Sequence, residues 1–453
     1  MTYKNKSFIF LPYKTDKNLS EMKSFLDTSG FCKSVDEGSK SKSKRYLFNY
    51  VADRIDYGTE TEKQISNSIC IIRKADETLK KTANDAVEKI KEKKKIDKTD
   101  FAIDDILLFC FNTSICILCF KIVFDNTDYD SITNQLYRLK TYNAGEYKGL
   151  LGKTAKAVLE KSFGEENPFK PFTTTSDREQ RANVFTYFES EKFTDEKALN
   201  KCLFRLSHCY KDEFVYSEDS GDKCRIYKNN ENCHWAITSE CTACVAYPEV
   251  KYVSKFFHNS FEKGYMLLFV LMLNQKYTLY RFQSEVSERT FQNTEEEIKA
   301  IKNLQKRFYK FEKDYNFKTV SATSQYQNIY DMLYSENRID MLIDDVREPL
   351  NALNTILVEE SRELNEENEK QTTRALAVIS LFAVFSALID MWGILEKWSY
   401  PPSGEVIGVL IRYVVFTILT VAVVLGSMIV FKRGKVFRQI REVFRKKKDK
   451  NDN

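Results

Sequence analysis

The alternation of apolar and polar positions divides the chain into three stretches. Up to about residue 255, apolar runs of strand length alternate with amphipathic helical segments, a mixed α and β pattern. Strands are predicted at Ser7–Tyr13, Ile106–Phe111, Ser114–Phe124 and Asn183–Glu189, with one more near His234–Ala246. The segment DDILLFCFNTSICILCFKIVF turns at Asn112 and Thr113, which predicts a buried hairpin. Ala198–Tyr210 reads as a helix, Val87–Lys95 as a solvated helix face, and Lys33–Lys44, rich in Lys and Ser, as a loop.

From Tyr252 to Arg374 only Gly264 and Pro349 interrupt helix-compatible sequence. Helices are predicted from Val253 to about Glu288 and from Thr294 to about Tyr315. A third follows the loop Asn316–Ser324, starting near Gln325 and running unbroken through Pro349, which should kink it rather than end it. Beyond Pro349, Leu350, Leu353, Leu357 and Leu364 share one face, while Asn351, Asn354 or Thr355, Arg362, Asn365 and Thr372 recur on another. Two apolar runs come next, Ala375–Leu395 and Val406–Phe431, each long enough at 1.5 Å per residue for a hydrocarbon core of ~30 Å. Hydropathy therefore predicts two transmembrane helices joined by a short external loop, 396–405, anchored by Trp398 and Tyr400. The expected fold class is an α+β cytosolic domain (1–252), then long stalk helices (253–374), transmembrane helices at 375–395 and 406–431, and a basic tail (432–453).

Composition refines this only at the C-terminus. The 453 residues are 30% charged and 43% hydrophobic, ordinary for folded chain, with a net charge of +5. From Lys432 onward ten Lys/Arg stand against three Asp/Glu, so the rest is slightly acidic. A basic tail of this kind suits anionic lipid and a cytoplasmic end, giving an expected plasma (inner) membrane location with both termini cytoplasmic. The acidic remainder argues against a direct nucleic-acid partner. Eleven cysteines, none in the external loop, are expected as reduced thiols.

The candidate chemistry is polar. Asn351, Asn354, Arg362, Asn365, Thr372, Ser380, Ser386 and Asp390 recur along the third helix as candidate pore-lining residues, with the outer face of a stalk helix as the plainer alternative. Asp390 lies in an apolar run and is expected to meet water or a partner, as a ring at an outer mouth, by reaching the nearby interface, or paired with Arg412, the alternative for Arg412 being to snorkel outward alone. Cys241 and Cys244, with Cys224, Cys233 and His234 upstream, have a spacing that zinc uses; read as a strand, the same segment puts Cys241 and Cys244 on opposite faces. Gly152-Lys153-Thr154 is reminiscent of a phosphate loop, but Tyr147 stands where its first glycine belongs. A basic pocket of Lys148, Lys153, Arg178 and Arg181 for a phosphate-bearing ligand stands beside the plainer reading of solvated lysines at a helix start. No catalytic set emerges, and three histidines give little acid-base machinery.

An α/β domain, long helices feeding a first span, a short loop, a second span and a basic tail resemble the CorA-like two-span channel family over roughly residues 180–445. The resemblance implies a homopentamer whose first span lines a pore. The family's Gly-Met-Asn motif is absent, Ile389-Asp390-Met391-Trp392-Gly393 standing in its place. Divergent members without that motif include effectors associated with type III CRISPR systems. Similarity to them implies an antiviral channel gated by a nucleotide second messenger, the alternative being a divalent-cation transporter with an altered filter. On either account the chain is expected not to be an enzyme.

Overall fold

A computed structural model describes residues 5–33, 45–56, 68–94, 101–125, 128–141, 149–173, 181–211, 225–289, 295–397, 408–411, 413–418 and 420–422. Outside these lie most of the Lys33–Lys44 loop, Lys148, Arg178, Cys224, most of the external loop, Arg412, most of the second apolar run and the basic tail. The side chains of Leu357 and Leu364 also lie outside the description. The chain forms two compact units, Met1–Asn354 and Thr355–Asn453.

The first unit is built on an 11-stranded mixed sheet. Its central strands are β1 (Lys6–Lys14), β5 (Phe101–Phe111), β6 (Ile115–Phe124) and β8 (Asn183–Glu189). The path runs β2-β4-β5-β6-β1-β8-β11-β10-β9, where β2 is Phe31–Lys33, β4 Cys70–Ala75, β9 Arg225–Asn230, β10 Cys233–Ile237 and β11 Cys241–Ala246. β8 and β11 pair in parallel, whereas β1 pairs antiparallel with both β6 and β8. The predicted hairpin forms, β5 to β6, with Ser114 just past the turn at a φ of 63°.

The period-2 pattern explains why both faces of the sheet are covered. Ile9 and Leu11 of β1, with Val184 and Phe188 of β8, point into one core, packed by α1 (Leu19–Asp27), α3 (Glu77–Lys94), α4 (Tyr129–Lys140), α5 (Leu150–Phe163) and α6 (Glu196–His208). Phe8, Phe10, Phe185 and Tyr187 point into the other. There the chain returns through two π-helical turns, Val253–Phe257 and Phe261–Tyr265, into α7 (Met266–Ser287). Every residue of α7 from Met266 to Leu279 is buried, and its polar members Asn274, Gln275, Lys276 and Thr278 are hydrogen-bonded there. Phe185 stacks on Phe261 at 4.4 Å and on Phe269 at 5.0 Å, fixing α7 and the π turns on the sheet. α8 (Glu295–Asp314) and α9 (Ser324–Glu336) complete this layer, and α2 (Asn49–Ala52) leads into the short strand β3 (Ile55–Asp56).

Several expectations need correction. The segment His234–Ala246 is two strands, not one, because Thr238 Oγ1 accepts from the backbone N–H groups of Glu240 (3.4 Å) and Cys241 (3.0 Å) and closes a turn. The third helix is not continuous: α9 ends at Glu336, Arg338 takes a left-handed φ of 51°, and α10 restarts at Ile339. Pro349 does lie inside α10, which spans Ile339–Glu396.

The two-span fold class is overturned. Among the described residues no helix is long and apolar enough to cross a membrane. The membrane-protein and ion-channel reading and the plasma-membrane location fall with it.

Candidate functional site

Among the described residues, clefts open at two places on the first unit. The larger, ≈ 680 Å³, is bounded by the end of β1, the short strand β7 (Lys170–Pro171) and the last turns of α7. Its charges answer one another within the protein. Lys170 meets Asp16 at 2.6 Å, and Arg281 meets Glu285 at 2.8 Å. Arg307 adds a two-pronged contact to Glu285 at 2.8 and 2.9 Å. Burial would raise the Glu285 carboxyl, but Arg307 and Arg281 together hold it below its ordinary range. Arg307 stands outside the lining, whose own charges are Lys14, Lys170 and Arg281 against Asp16, Glu285 and Glu288, so the walls favour neither sign of ligand.

The smaller cleft, ≈ 540 Å³, has a different character. It lies between α2 and the connection from α8 to α9. Its lining carries Arg54, Lys313 and Lys318 against one acid, Asp53, while Asp314 and Asp340, outside the lining, pair with Arg54 and Lys318. Tyr50 and Phe317 give it an aromatic wall, their rings 6.2 Å apart. Tyr50 stacks on Phe48 at 5.6 Å and is 51% exposed, so its ring remains open to a ligand. Asn49 and Asn316 add amide groups. A volume of this order suits a small ligand, and cations beside an exposed ring suit a planar, anionic one.

The cleft is tightly built although its residues are remote in sequence. The Phe48 N–H donates to the Val320 carbonyl at 2.9 Å, the Ser321 hydroxyl to the Tyr46 carbonyl, and the Tyr50 hydroxyl to the Thr319 carbonyl. Arg54 donates to the Asp314 carbonyl at 3.3 Å and meets the Asp314 carboxylate at 3.8 Å. On its other side the connection is gripped by α9. The Gln327 amide oxygen accepts from the N–H groups of Val320 (2.9 Å) and Ser321 (3.2 Å), and its nitrogen donates to the Lys318 carbonyl at 3.0 Å. The Tyr330 hydroxyl donates to the Phe317 carbonyl at 2.8 Å, and Tyr334 bonds Asn316 and Asp340, both at 3.0 Å. Lys318 also meets Asp340, in the first turn of α10, at 3.2 Å. A group that displaces this connection therefore acts directly on α9 and on the start of α10.

The residues named from sequence fall elsewhere. Lys153 is exposed on α5, and Arg181, before β8, pairs with Glu240 at 3.6 Å; neither lines either cleft. Gly152-Lys153-Thr154 sits inside α5 rather than in a loop: Gly149 caps the helix at a φ of 78°, and the buried Thr154 hydroxyl donates to the Leu150 carbonyl at 2.9 Å. Asn351, Asn354, Arg362, Asn365, Thr372, Ser380, Ser386 and Asp390 all lie on α10; all but the half-buried Asn354 are exposed. Thr372 and Ser380 return their hydroxyls to carbonyls one turn back, at 2.8 and 2.7 Å, and Arg362 meets Glu366 at 3.3 Å. Cys241 and Cys244 lie on opposite faces of the sheet, as the strand reading requires, and among the described residues no group of three His, Cys, Asp or Glu is placed to hold a metal. No family model, curated protein or solved structure matches the chain.

Proposed function

We propose that the chain is a ligand sensor. Its sheet-bearing unit binds a small anionic ligand with a planar ring, of the nucleotide second-messenger class, between Tyr50 and the α8–α9 connection. The observation that carries this is the joining of three cations and an exposed aromatic ring on a loop bonded directly to α9. The ring stacks on Tyr50, the phosphates meet Arg54, Lys313 and Lys318, and the displaced connection moves Gln327, Tyr330 and Tyr334. The test is a thermal-shift screen of linear and cyclic nucleotides at millimolar concentration. A melting point raised by at least one nucleotide, and unmoved in the Lys313→Ala/Lys318→Ala double variant, is the expected result. No shift with any nucleotide overturns the reading.

A separate observation favours a second copy of the chain as partner. On α10, Leu376, Ile379, Phe382, Phe385 and Ile389 are 57–70% exposed, a run of large apolar side chains left in water. Mass photometry of the full chain is expected to give an oligomer; a monomer at micromolar concentration contradicts self-association.

A further inference from the structure

Two buried thiols outside the cleft are arranged for chemistry. Cys209 follows α6 in a left-handed conformation, with a φ of 53°, and Cys241 opens β11; their sulfurs are 3.6 Å apart and neither side chain is exposed. The Cys209 thiol donates to the Cys241 sulfur. The Lys140 ammonium stands beside the pair, held by the His208 carbonyl at 3.1 Å and by Glu240. Glu240 in turn meets Arg181, and these two side chains, 38% and 53% exposed, carry the ion cluster to the surface.

We propose that Cys209 and Cys241 form a peroxide-sensitive dithiol, with Cys241 the attacking sulfur and Cys209 the resolving one. The Cys241 thiolate attacks one oxygen of hydrogen peroxide and the O–O bond breaks, giving a sulfenic acid and hydroxide. The Cys209 sulfur then attacks the Cys241 sulfur, the S–O bond breaks, and a second hydroxide leaves. With the two thiol protons, one peroxide is reduced to two waters as the dithiol is oxidised to a disulfide.

The asymmetry of the pair sets these roles. Burial would push the Cys241 thiol up, but the Cys209 hydrogen bond and Lys140 outweigh it and bring it below the ordinary value. The same hydrogen bond, with burial, holds the Cys209 proton more tightly. Cys110 and Cys116 supply an internal control. They are cross-strand partners in the β5–β6 hairpin, equally buried, but there burial and the Cys110 contact push the Cys116 thiol up. The switch has a structural output: the turn before Cys241 gives its Ser239 carbonyl to Lys276 at 2.6 Å, and Lys276 also donates to Asn337, at the break between α9 and α10, at 3.0 Å.

The experiment is a peroxide titration of the folded chain, quenched by alkylation and read by peptide mass spectrometry. The expected result is a Cys209–Cys241 disulfide while Cys110 and Cys116 stay reduced. In Cys209→Ser a dimedone adduct appears on Cys241, and in Cys241→Ser no adduct appears on Cys209; circular dichroism confirms that both variants fold. A reduced Cys241 at peroxide doses that oxidise the exposed Cys32 overturns the proposal, as does oxidation of Cys110 and Cys116 first. A misfolded serine variant leaves the wild-type disulfide map as the deciding measurement.

Discussion

Replacing Lys276 by Met should make the difference in stability between variant and wild type depend on pH in a predictable way. The Lys276 ammonium is buried against the β10–β11 turn and bonds the Ser239 carbonyl and the Asn337 amide oxygen. Burial lowers its pKa from 10.5 to about 8, with Glu240 and Cys241 opposing the shift in part. Because the folded value lies below the unfolded one, the unfolded chain holds a proton that the folded chain has released between pH 8 and 10.5. Wild-type stability therefore gains from this group as pH rises through that window, by about 3 kcal/mol in all. Below pH 8 the charged amine is a burden of the same size, which two hydrogen bonds worth roughly 1 to 1.5 kcal/mol each largely offset. Met removes both, so Lys276→Met should lie within about 1 kcal/mol of wild type at pH 7 and be less stable by about 2 to 3 kcal/mol at pH 10. Urea denaturation of both proteins at pH 7, 8, 9 and 10 measures this. A difference that stays flat across the series refutes the account of Lys276 as a desolvated cation.

Two further outcomes follow from the same core. A Cβ at Gly264 would stand 2.8 Å from Tyr326 Cε1 and 3.3 Å from Tyr46 Cδ2, so Gly264→Ala should cost roughly 1 to 3 kcal/mol, read as a lowered melting temperature. Glu262, in the second π turn, meets Lys6 and Lys121, and although burial raises its carboxyl, the two lysines bring it below 4.5. Its contribution is therefore complete above pH 4.5 and is lost as pH falls through the lower folded value. Glu262→Gln should remove about 2 kcal/mol at pH 7 by taking the anion from Lys6, while Lys121 keeps Asp104 at 2.9 Å, and should flatten that acid limb in a pH-dependent melt.

What the sequence made legible was whatever a local period carries. The strand predicted at Asn183–Glu189 is β8 to the residue, because both faces are buried and the run is bounded by polar loops. The β5–β6 turn and the opposite facing of Cys241 and Cys244 follow from the same alternation. The turn at Thr238–Glu240 was hidden because it uses a threonine hydroxyl instead of Gly or Pro, and the break at Arg338 because a non-glycine residue takes the left-handed conformation. The apolar run from Ala375 carried a clear hydropathy signal, yet among the described residues no helix reaches the length and apolarity of a span. The cleft left no motif at all. Tyr50 and Phe317 meet only because Tyr46–Tyr50 is strapped to the α8–α9 connection, a pairing of segments remote in sequence that no local cluster of basic residues marks.

The central claim, that a nucleotide-class ligand in the Tyr50–Phe317 cleft acts on α9, is tested most directly by hydrogen exchange with mass spectrometry, comparing the full chain with and without a saturating nucleotide. The account predicts slowed exchange at 46–54 and 313–323 that extends into α9 through Tyr334, and its loss in Tyr50→Ala. Protection confined to other parts of the first unit, or no change with any nucleotide, would contradict it.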